Sequence, residues 1–153
     1  MISVVTLSLL DNILFHLVLK LDKIIQLAIL INHLIDQEKE GLGFLMVMGC
    51  YMEGMNLVMH QAREHDLILF VHLLHQQKNY GNNLVSMLDQ YQIPKEIQSE
   101  YGNFMTIVNT LNDMDIPTVY ELKSGKRTIA GLNEDSFDTI KTELSAFRSS
   151  ILI

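Results

Sequence analysis

A chain of 153 residues has room for one ordinary domain and can bury a core without disulfide or metal staples. Its 18 acidic against 11 basic side chains give a net charge of -7, so there is no basic footprint for phosphate and nucleic acid is excluded as the expected partner. Hydrophobic residues make up 48% and charged residues 19%, which leaves much apolar surface to cover, while the one cysteine, Cys50, rules out an intrachain disulfide and a CxxC-type zinc site.

The leading stretch MISVVTLSLLDNILFHLVLK has the apolar character of a signal or a membrane span. It lacks a basic n-region, a small-residue cleavage site and a cysteine to acylate. Asp11 and Asn12 interrupt it, and Lys20, Asp22 and Lys23 close it before about 18 clean apolar residues accumulate. The next apolar stretch, 24–35, is too short to cross a bilayer. Residues 7–35 therefore read as one or two helices of a core or an interface, ahead of a membrane-associated segment. Leu9, Leu10, Ile13, Leu14, Leu17, Val18, Leu21, Ile24 and Ile25 lie on too many sides of a helix for one neighbour to cover. A second copy of the chain is the simplest cover, so a homodimer through residues 1–35 is expected.

From residue 42 to about 64 the chain is apolar nearly all round at helical period, the pattern of a central helix touched on several sides. Met48, Met52, Met55 and Met59, spaced four, three and four, form one stripe that reads as core rather than as copper or haem ligation, because flexible thioethers fill irregular gaps. Cys50 in the same run reads as buried and inert. Gly49 and Gly54 weaken the helix by about 1 kcal/mol each relative to alanine, which close approach of another backbone would explain. Glu53, Asn56 and His60, with Glu64 one turn beyond, share a second stripe. This polar seam is the best candidate ligand site, since a carboxylate and an imidazole two turns apart can share a water, a metal or a ligand with a facing helix. The structural alternative is a hydrogen-bonded or solvated strip. The Glu-x-x-His signature of a di-iron bundle is absent, because Asn56 follows Glu53 and Leu67 follows Glu64 at that spacing.

Residues 66–91 are amphipathic, with Leu69, Phe70, Leu73, Tyr80, Leu84, Met87, Leu88 and Tyr91 on one side and His72, His75, Gln76, Asn79, Asn83 and Ser86 on the other. His72 and His75, three apart, are a weak metal candidate together with His60; a solvated polar face is the competing reading. Pro94 suits the first turn of a third helix whose stripe runs Ile97, Tyr101, Phe104, Val108, Leu111. Pro117 stops the pattern. TVYELKSGKRTIAG then places β-branched and aromatic residues on both sides of Ser124-Gly125, which predicts a short extended or hairpin excursion near 118–130. In the last segment Asn133 is a candidate cap, Glu134 and Asp135 suit the first turn, and Phe137, Ile140, Leu144, Phe147 and Ile151 form a stripe that needs a partner. No HExxH, phosphate loop or G-x-S-x-G is present, so neither a catalytic residue nor a cofactor is expected.

The runs LGFLMVMGCYMEGMNLVMHQ, QQKNYGNNLVSMLDQY and TIAGLNEDSFDTIKTELSAFRSSI resemble the carboxy-terminal part of an uncharacterised family of helical-bundle proteins, often exported or lipid-anchored, from Bacteroidetes. The likeness rests on the aromatic-x-Glu-Gly step at Tyr51 to Gly54, the Gln-Lys then Asn-Leu pattern from Gln77 to Leu84, and the ending Phe147, Arg148, Ser149. It covers about residues 41–153. It implies a bacterial bundle with no established activity and points to the cell envelope or periplasm, although the exported members carry a signal and a longer amino-terminal region where this chain has its apolar segment. The expectation is an all-α bundle of four to five helices in a single domain, 1–153. Its expected role is non-enzymatic, structural or interacting, and self-associating; the alternative is a metal- or small-ligand-binding bundle built on Glu53 and His60.

Overall fold

The computed structural model describes residues 40–62, 66–129 and 134–151. The leading segment 1–35 and its expected dimer contacts, Glu64 and Asn133 lie outside them. The described chain forms helix α1 (Glu40–Leu57) with a π turn at Val58–Ala62, α2 (Leu67–Leu88), a 3-10 turn (Lys95–Ile97) leading into α3 (Gln98–Asp113), the short α4 (Val119–Lys123), and α5 (Glu134–Ile151). This is the all-α bundle that the 3.6-residue period implied.

Each of the four long helices contributes one wholly buried phenylalanine, Phe44, Phe70, Phe104 and Phe137, to a single hydrophobic core. The methionine stripe belongs to it, with Met48 and Met55 at 0% exposure and Met52 and Met59 at 2%. Side-chain pairings fix the helix directions. Tyr51 lies over Gly81 while Gln77 lies over Gly54, so α1 and α2 are antiparallel. Val108 meets Gly81, Asn112 meets Asn82, and Pro117 meets His75, so α3 reverses α2 again. With Phe137 against Phe70 and Arg148 against Glu53, α5 points in the same direction as α2, completing an up-down-up-down order, and it packs chiefly along α3.

Local signals explain the ends. Asp66, in extended conformation, caps α2 by accepting from the Ile68 and Leu69 amides at 3.0 and 3.1 Å. Farther along α2, Asn82 and Asn112 exchange two amide hydrogen bonds and Lys78 Nζ donates to the Asn112 carbonyl, clasping α2 to the last turn of α3. Pro94 precedes the 3-10 turn instead of sitting inside the first helical turn.

Where an extended or hairpin excursion was expected near 118–130, residues Val119–Lys123 form a short helix, with Val119 and Leu122 packed against the core. Thr118 and Glu121 form a capping box: the Glu121 amide donates to Thr118 Oγ1 at 3.1 Å and the Thr118 amide donates to Glu121 Oε2 at 2.8 Å. Gly125, at φ 73°, then ends the helix in a left-handed conformation, so Ser124-Gly125 is a helix stop and not a hairpin turn. The reciprocal bonds outweigh the weak β preference of Val119 and Tyr120.

The hydrogen bond from the Thr118 amide holds the Glu121 carboxyl below the ordinary glutamate range; desolvation opposes it, and the Arg127 charge adds a smaller lowering. A depressed carboxyl contributes its stability above the unfolded-state value, about 4.3 for a free glutamate, and loses it as pH falls through the folded value. The stability difference between parent and Glu121→Gln is therefore expected to be constant near neutral pH and to shrink in acid. Denaturant titrations across that range check it; a difference that grows in acid would contradict the capping role.

Candidate functional site

The polar seam begins on the outer edge of α1 and is met there by α5. Arg148 donates from Nε to Glu53 Oε1 at 3.0 Å, and from Nη2 to Oε1 and Oε2 at 2.8 and 2.9 Å. Both side chains are about half exposed, 50% for Arg148 and 46% for Glu53. The pair is a forked clip across 95 positions of sequence that ties the last turns of α5 to the middle of α1. With both carboxylate oxygens engaged, Glu53 is poorly placed to act as a base or a metal ligand. Solvent exposure limits its contribution: a double-mutant cycle with Glu53→Gln and Arg148→Gln should give a coupling of about 0.5–1 kcal/mol that weakens with added salt. A coupling several times larger, insensitive to salt, would indicate a desolvated pair.

The rest of the predicted stripe does not stay in line. Asn56 is partly buried, but His60 sits exposed in the π turn. A π turn closes i to i+5, adding about one residue to the turn, so everything after Leu57 is rotated away from the α-helical wheel that joined Glu53 to His60. The same rotation brings Val58 and Met59 into the core side by side. His72 is exposed and accepts from Gln76 Nε2 at 3.2 Å, whereas His75 Nε2 donates to the Pro117 carbonyl at 2.9 Å and anchors the chain before α4. Among the described residues no three of the His, Cys, Asp and Glu side chains are grouped as a metal site, so His60, His72 and His75 are not brought together. Cys50 is partly exposed on the outer side of α1, which corrects its assignment to the buried interior.

The polar groups most deeply placed are ones the wheel did not select. Buried positions on α2 recur as Phe70, Leu74, Gln77, Gly81, Leu84 and Leu88, spaced four, three, four, three and four, so the helix presents a coiled seam with Gln77 and Gly81 at its middle. Gln77 is 5% exposed and Tyr51 3%. The Tyr51 hydroxyl and Gln77 Oε1 are buried and make no hydrogen bond among the described residues. Burial pushes the Tyr51 phenol far above its ordinary range, so it stays neutral. Each large polar side chain occupies the space above the other helix's glycine, Tyr51 on Gly81 and Gln77 on Gly54. A four-spacing from Gln77 to Gly81 was the available signal; the glutamine's polarity hid it.

The bundle and its half-exposed ion pair define an all-α protein. No family model, curated protein or solved structure matches the chain.

Proposed function

We propose that the protein is a non-enzymatic structural or interaction module, a helical bundle that self-associates through residues 1–35. The observation that carries this reading is apolar surface in excess of its cover. Helix α1 is apolar nearly all round; Gly41–His60 is long and apolar enough by length and composition to cross a membrane, and more than half of it is buried in the bundle, as in the core helix of a soluble protein. On its outer side Leu42 is 53% exposed and Met46, Gly49, Cys50 and Leu57 are partly exposed. The strongly apolar residues 7–35 lead directly into that helix. Such continuity favours association over chemistry.

The likeness to exported or lipid-anchored bundles of Bacteroidetes fits the same role and belongs to the same proposal. The rival reading, a metal or small-ligand bundle on Glu53 and His60, draws less support because Arg148 engages both oxygens of Glu53 and His60 lies beyond the π turn. Elemental analysis and absorbance of the purified chain separate the two: a colourless, metal-free, associating protein is the expected result, and stoichiometric metal lost on Glu53→Gln or His60→Ala would favour the rival.

A further inference from the structure

We infer that residues 115–127 are a flap that lifts from the bundle as one preformed unit, with His75 as its latch. The two ends of the segment, 12 positions apart in sequence, are tied to each other. Arg127 donates from Nη1 and Nη2 to the two carboxylate oxygens of Asp115 at 3.1 and 2.8 Å, and from Nη2 to the Asp115 carbonyl at 3.1 Å. Between the ends the capping box of Thr118 and Glu121 closes α4, and the Arg127 amide donates to the Glu121 carbonyl at 3.3 Å. A segment of this length, with joined ends and bonds of its own, is an Ω-loop, a form that is frequently functional.

What holds the flap to the bundle is slighter. Among the described residues it makes one hydrogen bond to a long helix, from His75 Nε2 on α2 to the Pro117 carbonyl at 2.9 Å. Ile116 and Pro117, beside that bond, are buried, but no residue of α4 is: Val119 and Leu122 are only partly buried and Tyr120 is 68% exposed. The long helices, by contrast, each seat a wholly buried phenylalanine in the core. The free energy of local opening follows buried apolar contact, so the flap opens well before the bundle does. The chain leaves α3 at Met114 in an extended conformation, φ -73° and ψ 132°, and this element-terminal position is the hinge. Because the Arg127–Asp115 clasp moves with the flap, lifting breaks the His75 latch and keeps the bonds inside the loop. It bares Ile116, Val119 and Leu122 together, so the flap sets when this apolar patch can be contacted.

Trapping of buried thiols in the full chain tests this. Ile116→Cys, in the flap, and Ile107→Cys, at a position 0% exposed in α3, are alkylated under native conditions and read by peptide mass spectrometry, which separates them from Cys50. Position 116 is expected to react at least about a hundredfold faster than position 107, because unfolding of the bundle is needed to bare the latter. Adding His75→Ala should speed position 116 about fivefold, since lifting breaks that bond, whereas Thr118→Ala should leave it unchanged, since the lifted flap keeps its capping box. Equal rates at 116 and 107, or no response to His75→Ala, would overturn the inference. A response to Thr118→Ala of about the same size would mean that the segment melts instead of lifting, and would overturn it as well. The unsubstituted chain gives a check that needs no variant: methyl relaxation dispersion should show exchange at Ile116 and Leu122 and none at Ile107 and Leu111. Flat profiles at all four would overturn the inference even if the cysteine variants fail to fold.

Discussion

Met55→Asp is expected to abolish the fold. Met55 is 0% exposed at the centre of the methionine stripe, in the single core to which the neighbouring helices contribute Phe70, Phe104 and Phe137, and none of the described core groups is a cation that could pair with a new carboxylate. An unpaired buried charge costs several kcal/mol, and a domain of this size has only about 5–15 kcal/mol to lose. The variant should be recovered aggregated or without a cooperative melt, whereas Met55→Leu, which conserves volume and polarity, should cost less than about 1.5 kcal/mol. Circular dichroism melts of the pair check this. A Met55→Asp protein that melts like the parent would remove α1 from the core.

Two glycines in helix interiors should respond with opposite sign to the same substitution. A Cβ on Gly81 would stand 2.9 Å from Val108 Cγ2 and 3.0 Å from the Tyr51 hydroxyl. Neither neighbour can yield freely: valine is stiff at χ1, and Tyr51 is itself held edge-on to Phe104 at 5.2 Å between centroids. Overpacking of about 1–3 kcal/mol should exceed the gain of about 1 kcal/mol in helix propensity, so Gly81→Ala should lose stability. A Cβ on Gly102, an exposed position of α3, meets nothing within 4 Å. Gly102→Ala should therefore gain up to about 1 kcal/mol. Denaturant midpoints measure both; a neutral or stabilising Gly81→Ala would mean that α1 and α2 do not approach so closely.

The elements that were legible in the sequence were those whose side-chain pattern is strictly helical. The methionine stripe, the α3 stripe at Phe104, Val108 and Leu111, and the α5 stripe from Phe137 to Phe147 all face the core, although Ile151, the last member, is 44% exposed. Two things defeated the periodic reading. One is a change of period: the π turn at Val58–Ala62 sends His60 to solvent, so a ligand seam drawn on an ideal wheel loses its histidine. The other is reading residues by polarity or strand preference alone. Gln77 is buried because it fills the space over Gly54, and Thr118 begins a helix because Glu121 stands three residues on. The Glu53–Arg148 pair was not legible at all, since nothing local relates positions 95 apart; only the packing of α5 on α1 brings them together.

Sedimentation of the full-length chain across a dilution series through the micromolar range, alongside Leu17→Glu, tests the central claim most directly. Self-association through residues 1–35 predicts a species of twice the 17.5 kDa chain mass that persists on dilution. It also predicts that Leu17→Glu dissociates this species while the helical signal of the bundle remains. A well-folded parent chain that sediments as a monomer throughout would contradict it.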